Sequence, residues 1–263
     1  MTESAVNWKI KASIGVLLSS LSGWAQASTP QGMTGITLHN TRVVYPSTAT
    51  NGVTYQLTNN SSVPYLLQAR IQPWEPSANE SSLKAGEQSD NSRAFIALPP
   101  LQRIDVGETV TLHLRLKQHD LHPQDRESIA VLALTAIPAE KPEQTSTTPQ
   151  MVIAVQNNVK LFYRPAALQR PDEETINNQL QFVPATSDIT VKNPSAFYVT
   201  FDRLSVNRQA VDLGNTRMIA PYSEQRWPMV LDKAPKNIEW QVINDKGGVS
   251  DKIYQKQLPE VKR

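Results

Sequence analysis

The sequence predicts an all-β protein built as two β-sandwiches, and three observations carry that prediction. Apolar and polar residues alternate at period two through most of the chain, the spacing of a half-buried strand. Nineteen prolines against ten glycines punctuate the chain with strand ends and turns, and no convincing amphipathic helix interrupts the pattern. The candidate strands form two sets, about seven before Arg164-Pro165-Ala166-Ala167 and six or seven after it. That is the count of two immunoglobulin-like sandwiches. No internal repeat is visible.

In chain order, Thr34 to Tyr45 alternates around Ile36, Leu38 and Val43. Gly52 to Leu57 is rich in β-formers and runs into the turn cluster Asn59-Asn60-Ser61-Ser62. Tyr65 to Ile71 follows Pro64, and Ala94 to Leu98 runs into Pro99-Pro100. Val110 to Leu116 alternates strictly. Ser128 to Ile137 is almost wholly apolar, as a strand buried on both faces is. Pro138 to Gln150 is polar, holds three prolines and reads as a loop, and Met151 to Tyr163 is the longest candidate strand. The second set comprises Leu180 to Val183, Ile189 to Val191, Tyr198 to Leu204, Arg226 to Val230 and Glu239 to Ile243, with others shorter.

The first 27 residues are set apart as a secretory signal. Lys9 and Lys11 form a positive start, Ala12 to Leu21 is apolar or small, and Ala25-Gln26-Ala27 is an A-x-A cleavage site. The apolar run is shorter than the roughly 18–20 residues a membrane span needs. Cleavage after Ala27 makes Ser28 the first mature residue and lowers the net charge from +2 to +1, because the segment carries Glu3, Lys9 and Lys11. No later stretch is long and apolar enough to span a membrane, and the mature chain is expected to be secreted. The domains expected are 28–165 and 166–263.

Composition excludes several functions. A net charge of +2 is too small for a nucleic-acid surface. The lack of cysteine rules out disulfides, thiol catalysis and Cys-ligated metals. No nucleophile elbow, H-E-x-x-H, phosphate-cradling loop or dinucleotide fingerprint is present. Of His39, His113, His119 and His122, the last two flank Asp120-Leu121, but without a third ligand they read as a polar loop. Asp125-Arg126-Glu127 offers two carboxylates, read as structural charges at a loop–strand junction. Asn60-Ser61-Ser62 and Asn79-Glu80-Ser81 match the glycosylation pattern, which arises often by chance. No catalytic residue, cofactor or metal is expected.

Met151, Ile153 and Val155 form an apolar row, with Val152, Ala154 and Gln156 on the other side. On alternation alone the row faces the domain's own core. The alternative is an exposed edge strand built to pair with another chain.

The residues that follow carry a resemblance. Lys160-Leu161-Phe162-Tyr163-Arg164-Pro165 resembles the end of a strand in the PapD-like periplasmic pilus chaperones. Thr41-Arg42-Val43-Val44-Tyr45, Pro64-Tyr65-Leu66-Leu67-Gln68-Ala69 and Pro99-Pro100-Leu101-Gln102-Arg103 match other segments of that family in order. So do Pro123-Gln124-Asp125-Arg126-Glu127-Ser128, preceded by His122 where leucine is common, then Asn193 to Thr200 and Ile243 to Gly248. The similarity covers nearly the whole mature chain.

The resemblance implies two immunoglobulin-like domains in a boomerang, with pilus subunits and an outer-membrane usher as partners. A subunit lacks its last strand; the chaperone lends one, then passes the subunit to the usher. On this resemblance Arg42 and Lys160 grip the subunit's C-terminal carboxylate, a task suited to two cations in a partly desolvated cleft. Met151, Ile153 and Val155 fill the subunit groove. Glu127, Arg164 and Asp245 form an interdomain ion network, and Leu66, Gln68, Pro99 and Pro100 face the usher. Val155 and Lys160 differ by five, so an unbroken strand sends them to opposite faces; twist or a bulge near Asn157-Asn158 would bring them together. The second half lacks the cysteine pair of some family members, and the Pro138–Gln150 loop is closer to the short-loop group. A pilus subunit or secreted adhesin is the alternative, set aside because both strand sets look complete; a hydrolase lacks its catalytic parts. Whether the free protein self-associates through its exposed strand stays open.

Overall fold

The computed structural model describes residues 35–75, 91–118, 121–139, 153–168, 172–185, 187–231 and 233–258. The signal segment, Met151, His119 and Asn79 lie outside them. The strands run β1 Ile36–Leu38, β2 Arg42–Pro46, β3 Val53–Asn59, β4 Tyr65–Pro73, β5 Phe95–Leu98, β6 Leu101–Ile104, β7 Thr109–Leu116, β8 Ser128–Pro138 and β9 Val155–Arg164. After them come helix α1 Glu173–Gln179 and strands β10 Gln181–Pro184, β11 Asp188–Asn193, β12 Val199–Val206, β13 Gln209–Ala210, β14 Met218–Ile219, β15 Ser223–Pro228, β16 Asn237–Val242 and β17 Tyr254–Gln257.

The first half packs the sheet β1-β3-β7-β5 against the sheet β2-β9-β8-β4-β6. Between them lies a core that includes Tyr55, Leu57, Leu67, Leu112, Leu132 and Leu161. The second half sets β10-β11-β15 against β13-β12-β16-β17, with β14 on β12, around Phe201, Trp227, Ile238 and Trp240. Each half therefore has its own core, as the two-sandwich reading requires.

Several elements differ from expectation. The stretch Thr34 to Tyr45 is two strands, because the chain changes sheets: Ile36 to Leu38 pairs antiparallel with β3, whereas Arg42 to Pro46 pairs parallel with β9. β6, β13, β14 and β17 are too short to stand out by alternation, and Arg226 to Val230 gives way to Ser223–Pro228. A helix is present after all. It has seven residues, too few for a visible 3.6-residue pattern. Asp172 caps it by accepting from the Glu174 and Thr175 amides, and Asn177 accepts from the Trp240 indole at 2.8 Å.

β8 is buried on both faces, for two separate reasons. Ala130, Leu132 and Leu134 point into the first core. On the other face Ile129 joins Phe162 and Met218 in a small cluster against which Trp74 and Tyr198 pack, joining the two halves.

A repeat does exist, at the level of corners rather than sequence. Where β3 turns into β4, the Asn59 side-chain amide donates to the carbonyls of Val63 (2.9 Å), Ile104 (3.3 Å) and Asp105 (3.1 Å). Its Oδ1 accepts from the Ser61 amide (3.0 Å) and hydroxyl (2.7 Å). Where β11 turns into β12, Asn193 donates to Phe197 (2.7 Å) and Ala220 (2.9 Å) and accepts from the Ser195 amide (3.1 Å) and hydroxyl (2.7 Å). Asn59 and Asn193 are both fully enclosed, at 0% and 1% exposure. Asn-x-Ser therefore builds the same corner in both sandwiches, tying the turn to carbonyls of neighbouring segments. Asn59→Ala and Asn193→Ala should each destabilise the protein by about 1–3 kcal/mol, through loss of the buried hydrogen bonds that brace each corner. Urea unfolding would show it, whereas Asn60→Ala, at an exposed position, should change stability little.

Candidate functional site

β2 and β9 run parallel, with Arg42 opposite Lys160. The core side of these strands carries Val43, Tyr45, Val159, Leu161 and Tyr163. Period two therefore puts Arg42, Lys160, Phe162 and Arg164 together on the opposite face. Arg42 donates to the Ile243 carbonyl of the second half at 3.2 Å, and its guanidinium lies 5.4 Å from the centre of the Phe162 ring. Burial lowers its pKa, against the pull of the Asp245 and Glu127 charges. The Lys160 ammonium lies 5.0 Å from the centre of the Trp74 ring. Two half-buried cations on aromatic faces thus stand side by side beside the joint between the halves.

Arg164 closes the same row and binds across the joint. Its Nε donates to Glu127 at 2.8 Å, and its Nη1 and Nη2 donate to Asp245 at 2.9 and 3.2 Å. Glu127 also accepts from the Tyr198 amide at 2.9 Å, and the Glu127 amide donates to the Ala196 carbonyl at 2.9 Å. The side chains of Arg164 and Glu127 are 10% and 3% exposed, while Asp245 is 42% exposed. Burial pushes the Glu127 carboxyl up, against Arg164 and the Tyr198 amide, which favour its ionised form. Burial also opposes the Arg164 charge, but the hydrogen bonds and charges of Asp245 and Glu127 outweigh it and raise the Arg164 pKa. Thr41 adds a hydroxyl bond to the Gly247 carbonyl at 3.0 Å. Gly247 has φ +83°, and a Cβ there would collide with Thr41, so only glycine fits. In the loop before β8, Asp125 pairs with Arg126 on the surface and Glu127 turns away from both, so the two carboxylates do not act together.

β9 pairs with β8 without interruption from Val155–Ala136 to Tyr163–Ser128. No bulge occurs at Asn157-Asn158, so nothing brings Val155 and Lys160 to one face. Val155 is in phase with the core residues Val159, Leu161 and Tyr163, yet it is 54% exposed, and Ile153 just before the strand is 65% exposed. Val155 thus extends the core side of the sheet past the end of the core itself. β2 covers only Lys160 to Arg164, so the same edge of Val155 to Val159 has no strand partner among the described residues. Val155 keeps the core's phase and is uncovered at this edge among the described residues.

Leu66 and Gln68 lie on the outer face of β4, opposite Arg103 and Leu101 of β6 and Ile137 and Thr135 of β8. Pro99 and Pro100 link β5 to β6 through a cis Leu98–Pro99 bond, and the Pro100 carbonyl accepts from the Ala69 amide at 2.9 Å. Leu101 and Ile137, which sequence reasoning did not single out, are 52% and 36% exposed and widen this patch. Their signal is the outward phase of β6 and β8, unreadable until register is known.

His122 is not a surface ligand. It is 4% exposed, stacks on Tyr163 with centroids 3.9 Å apart, and shares a 2.7 Å hydrogen bond with Ser128. Among the described residues no group of three His, Cys, Asp or Glu could hold a metal.

Arg164→Ala would strand Glu127 in a buried site, costing about 3–5 kcal/mol at neutral pH. A Glu127 pKa above its unfolded value means the folded state binds the proton more tightly. Without Arg164, which favours the ionised form, the folded variant's Glu127 pKa lies higher still, so the deficit of the variant should shrink as pH falls through that higher pKa toward the wild-type folded value. Thermal unfolding of Arg164→Ala and wild type between pH 4 and 8 would show this. A double replacement of Arg164 and Glu127 by apolar residues should cost less than Arg164→Ala alone.

Comparison with known proteins places this arrangement. Residues 35–169 match the N-terminal domain of PapD, described as a pili and flagellar-assembly chaperone, and residues 175–254 match the C-terminal domain of the pili assembly chaperone PapD. The uncharacterized fimbrial chaperone YcbF of Escherichia coli (strain K12) is 29% identical over 221 residues, covering 84% of this chain and 88% of its own. The chaperone protein FimC of the same strain is 28% identical over 220 residues, covering 83% of each. Among solved structures, the E. coli chaperone DraB superposes with a TM-score of 0.67 at 26% identity, over 86% of this chain and 97% of its own. The two sandwiches, the cation pair and the family matches across both halves lead to one conclusion: the chain belongs to the PapD-like family of pilus-assembly chaperones.

Proposed function

We propose that this chain is a periplasmic, non-enzymatic chaperone that lends the leading end of β9 to pilus subunits and hands them to an outer-membrane usher. In this reading residues 1–27 are the cleaved secretory signal, and 28–165 and 166–263 are the two domains. The observation that carries the reading is the uncovered edge of Val155 to Val159, beside a Val155 side chain in core phase and still 54% exposed. An exposed edge with an apolar row invites strand addition, and an incomplete sandwich is the partner that needs one.

Arg42 and Lys160 supply the chemical end-stop. Side by side and half-buried on paired strands, they suit one carboxylate with charge-assisted hydrogen bonds. Anchoring a subunit's C-terminal carboxylate there fixes the register of its last strand along β9, and a one-residue slip would turn its apolar residues the wrong way. The unbroken pairing of β9 divides the labour: the cations use one face, while Val155 offers an apolar side chain on the other, and Met151 and Ile153 precede it at the same period in the sequence. The Leu66, Gln68, Pro99 and Pro100 surface, widened by Leu101, is the face offered to the usher.

Lys160→Ala should leave unfolding temperature within about 2 °C of wild type, and Arg42→Ala should lower it by a few degrees because it also loses the Ile243 carbonyl contact. Each should weaken subunit binding by at least roughly thirtyfold, because each removes one partner of a buried charged contact. Co-expression with the pilus subunit of the same gene cluster and recovery of the complex from periplasm would test this. Wild-type recovery by both variants would refute the carboxylate anchor. Ile153→Asp should also weaken the complex, while its stability stays within about 0.5 kcal/mol of wild type because the position is 65% exposed.

A further inference from the structure

We infer that Trp74 is a positioning residue for the cation pair: its indole face holds the Lys160 ammonium at the height where, with Arg42, it meets a carboxylate. The inference rests on the carboxylate-anchor reading above and adds to it a residue outside the matched motifs.

Trp74 follows the last residue of β4, on the far side of β8 from β9. A strand-end residue has no ladder to hold it, yet this one is fixed by packing against the joint cluster of Ile129, Phe162 and Met218. Its ring centre is 5.0 Å from Lys160 Nζ, within the range in which an ammonium is attracted to an indole face. A lysine side chain has several rotatable bonds, and confining its ammonium before a ligand arrives removes part of the ordering cost of binding. Arg42 is treated in the same way by the Phe162 ring at 5.4 Å. Both aromatic rings belong to one cluster, so both cations rest on a single floor that also joins the two halves. Two donors on this floor, Trp74 Nε1 and Arg42 Nε, are buried and have no hydrogen-bond partner among the described residues.

A cation–π contact of this kind is worth a few-fold in affinity rather than the whole of it. Trp74→Ala should therefore weaken recognition of the carboxylate itself, roughly three- to tenfold, and leave recognition of the apolar strand unchanged. The probe is a synthetic peptide of alternating apolar residues ending in a free carboxylate, titrated beside the same peptide ending in an amide. Wild type should favour the acid over the amide, Trp74→Phe should keep most of that preference, and Trp74→Ala should lose three- to tenfold of it. A purely structural role would lower binding of both peptides together.

A second readout needs no ligand. After reductive methylation with ¹³C-formaldehyde, the dimethyl-lysine signal of Lys160, assigned by its absence in Lys160→Arg, should lie upfield of the other lysines because of the indole ring current. It should return to the common position in Trp74→Ala. Equal binding of acid and amide by wild type would overturn the carboxylate anchor and with it this role. A clear acid preference that Trp74→Ala retains in full, or an unshifted Lys160 signal in wild type, would overturn the role of Trp74 alone.

Discussion

The pleat of β9 constrains everything around it. Ten residues in one unbroken strand must serve the first core, the joint between the halves and an open edge. Because side chains alternate, Val159, Leu161 and Tyr163 can fill the core only if Lys160, Phe162 and Arg164 go the other way. That one parity choice gathers a cation, an aromatic floor and a network-forming guanidinium on one face without any further device. β2 then pairs with the last five residues and places Arg42 beside Lys160 in register. A bulge anywhere in Val155 to Tyr163 would have broken this ordering, and none is present.

The joint between the halves is built from charge as well as from apolar contact. Burying Arg164 and Glu127 is costly, and an apolar pair of the same volume would hold as well or better. Directional contacts offer something an apolar patch lacks. Arg164 forks onto two carboxylates, one from each half, and Glu127 reaches the Tyr198 amide with its second oxygen. Such bonds hold only within a narrow range of relative positions, so they select one arrangement of the two sandwiches. The Ile129, Phe162 and Met218 cluster supplies contact without direction, and it also supports the rings under Arg42 and Lys160. The geometry of the cation pair and the geometry of the joint are therefore set by the same few side chains.

Much of this was legible beforehand, for reasons particular to each element. β8 and β7 were readable because a nearly unbroken apolar run and a strict alternation each have one simple interpretation. The split of Thr34 to Tyr45 was not, since both pieces alternate and only their partners differ. Helix α1 was hidden by its brevity, and its cap, Asp172, is a residue equally at home in a turn. The shared Asn59 and Asn193 corner escaped notice because three letters of Asn-x-Ser carry almost no statistical weight, though their side chains make nearly the same bonds. Leu101, Ile137 and Trp74 were invisible for another reason: each matters through a neighbour on a different strand.

By itself the sequence determined the class of the fold, its division into two halves, the absence of any disulfide, and a set of family motifs in order along the chain. Those follow from local period, turn chemistry and composition, which are properties of neighbouring residues. Only the tertiary structure decided which faces meet. It put Arg42 opposite Lys160, turned Glu127 from its neighbour Arg126 to Arg164, left Val155 uncovered in core phase, and brought Trp74 over Lys160. Each depends on the register between strands far apart in the chain. Register is set by how two whole sheets close on a common core, and that no single segment encodes.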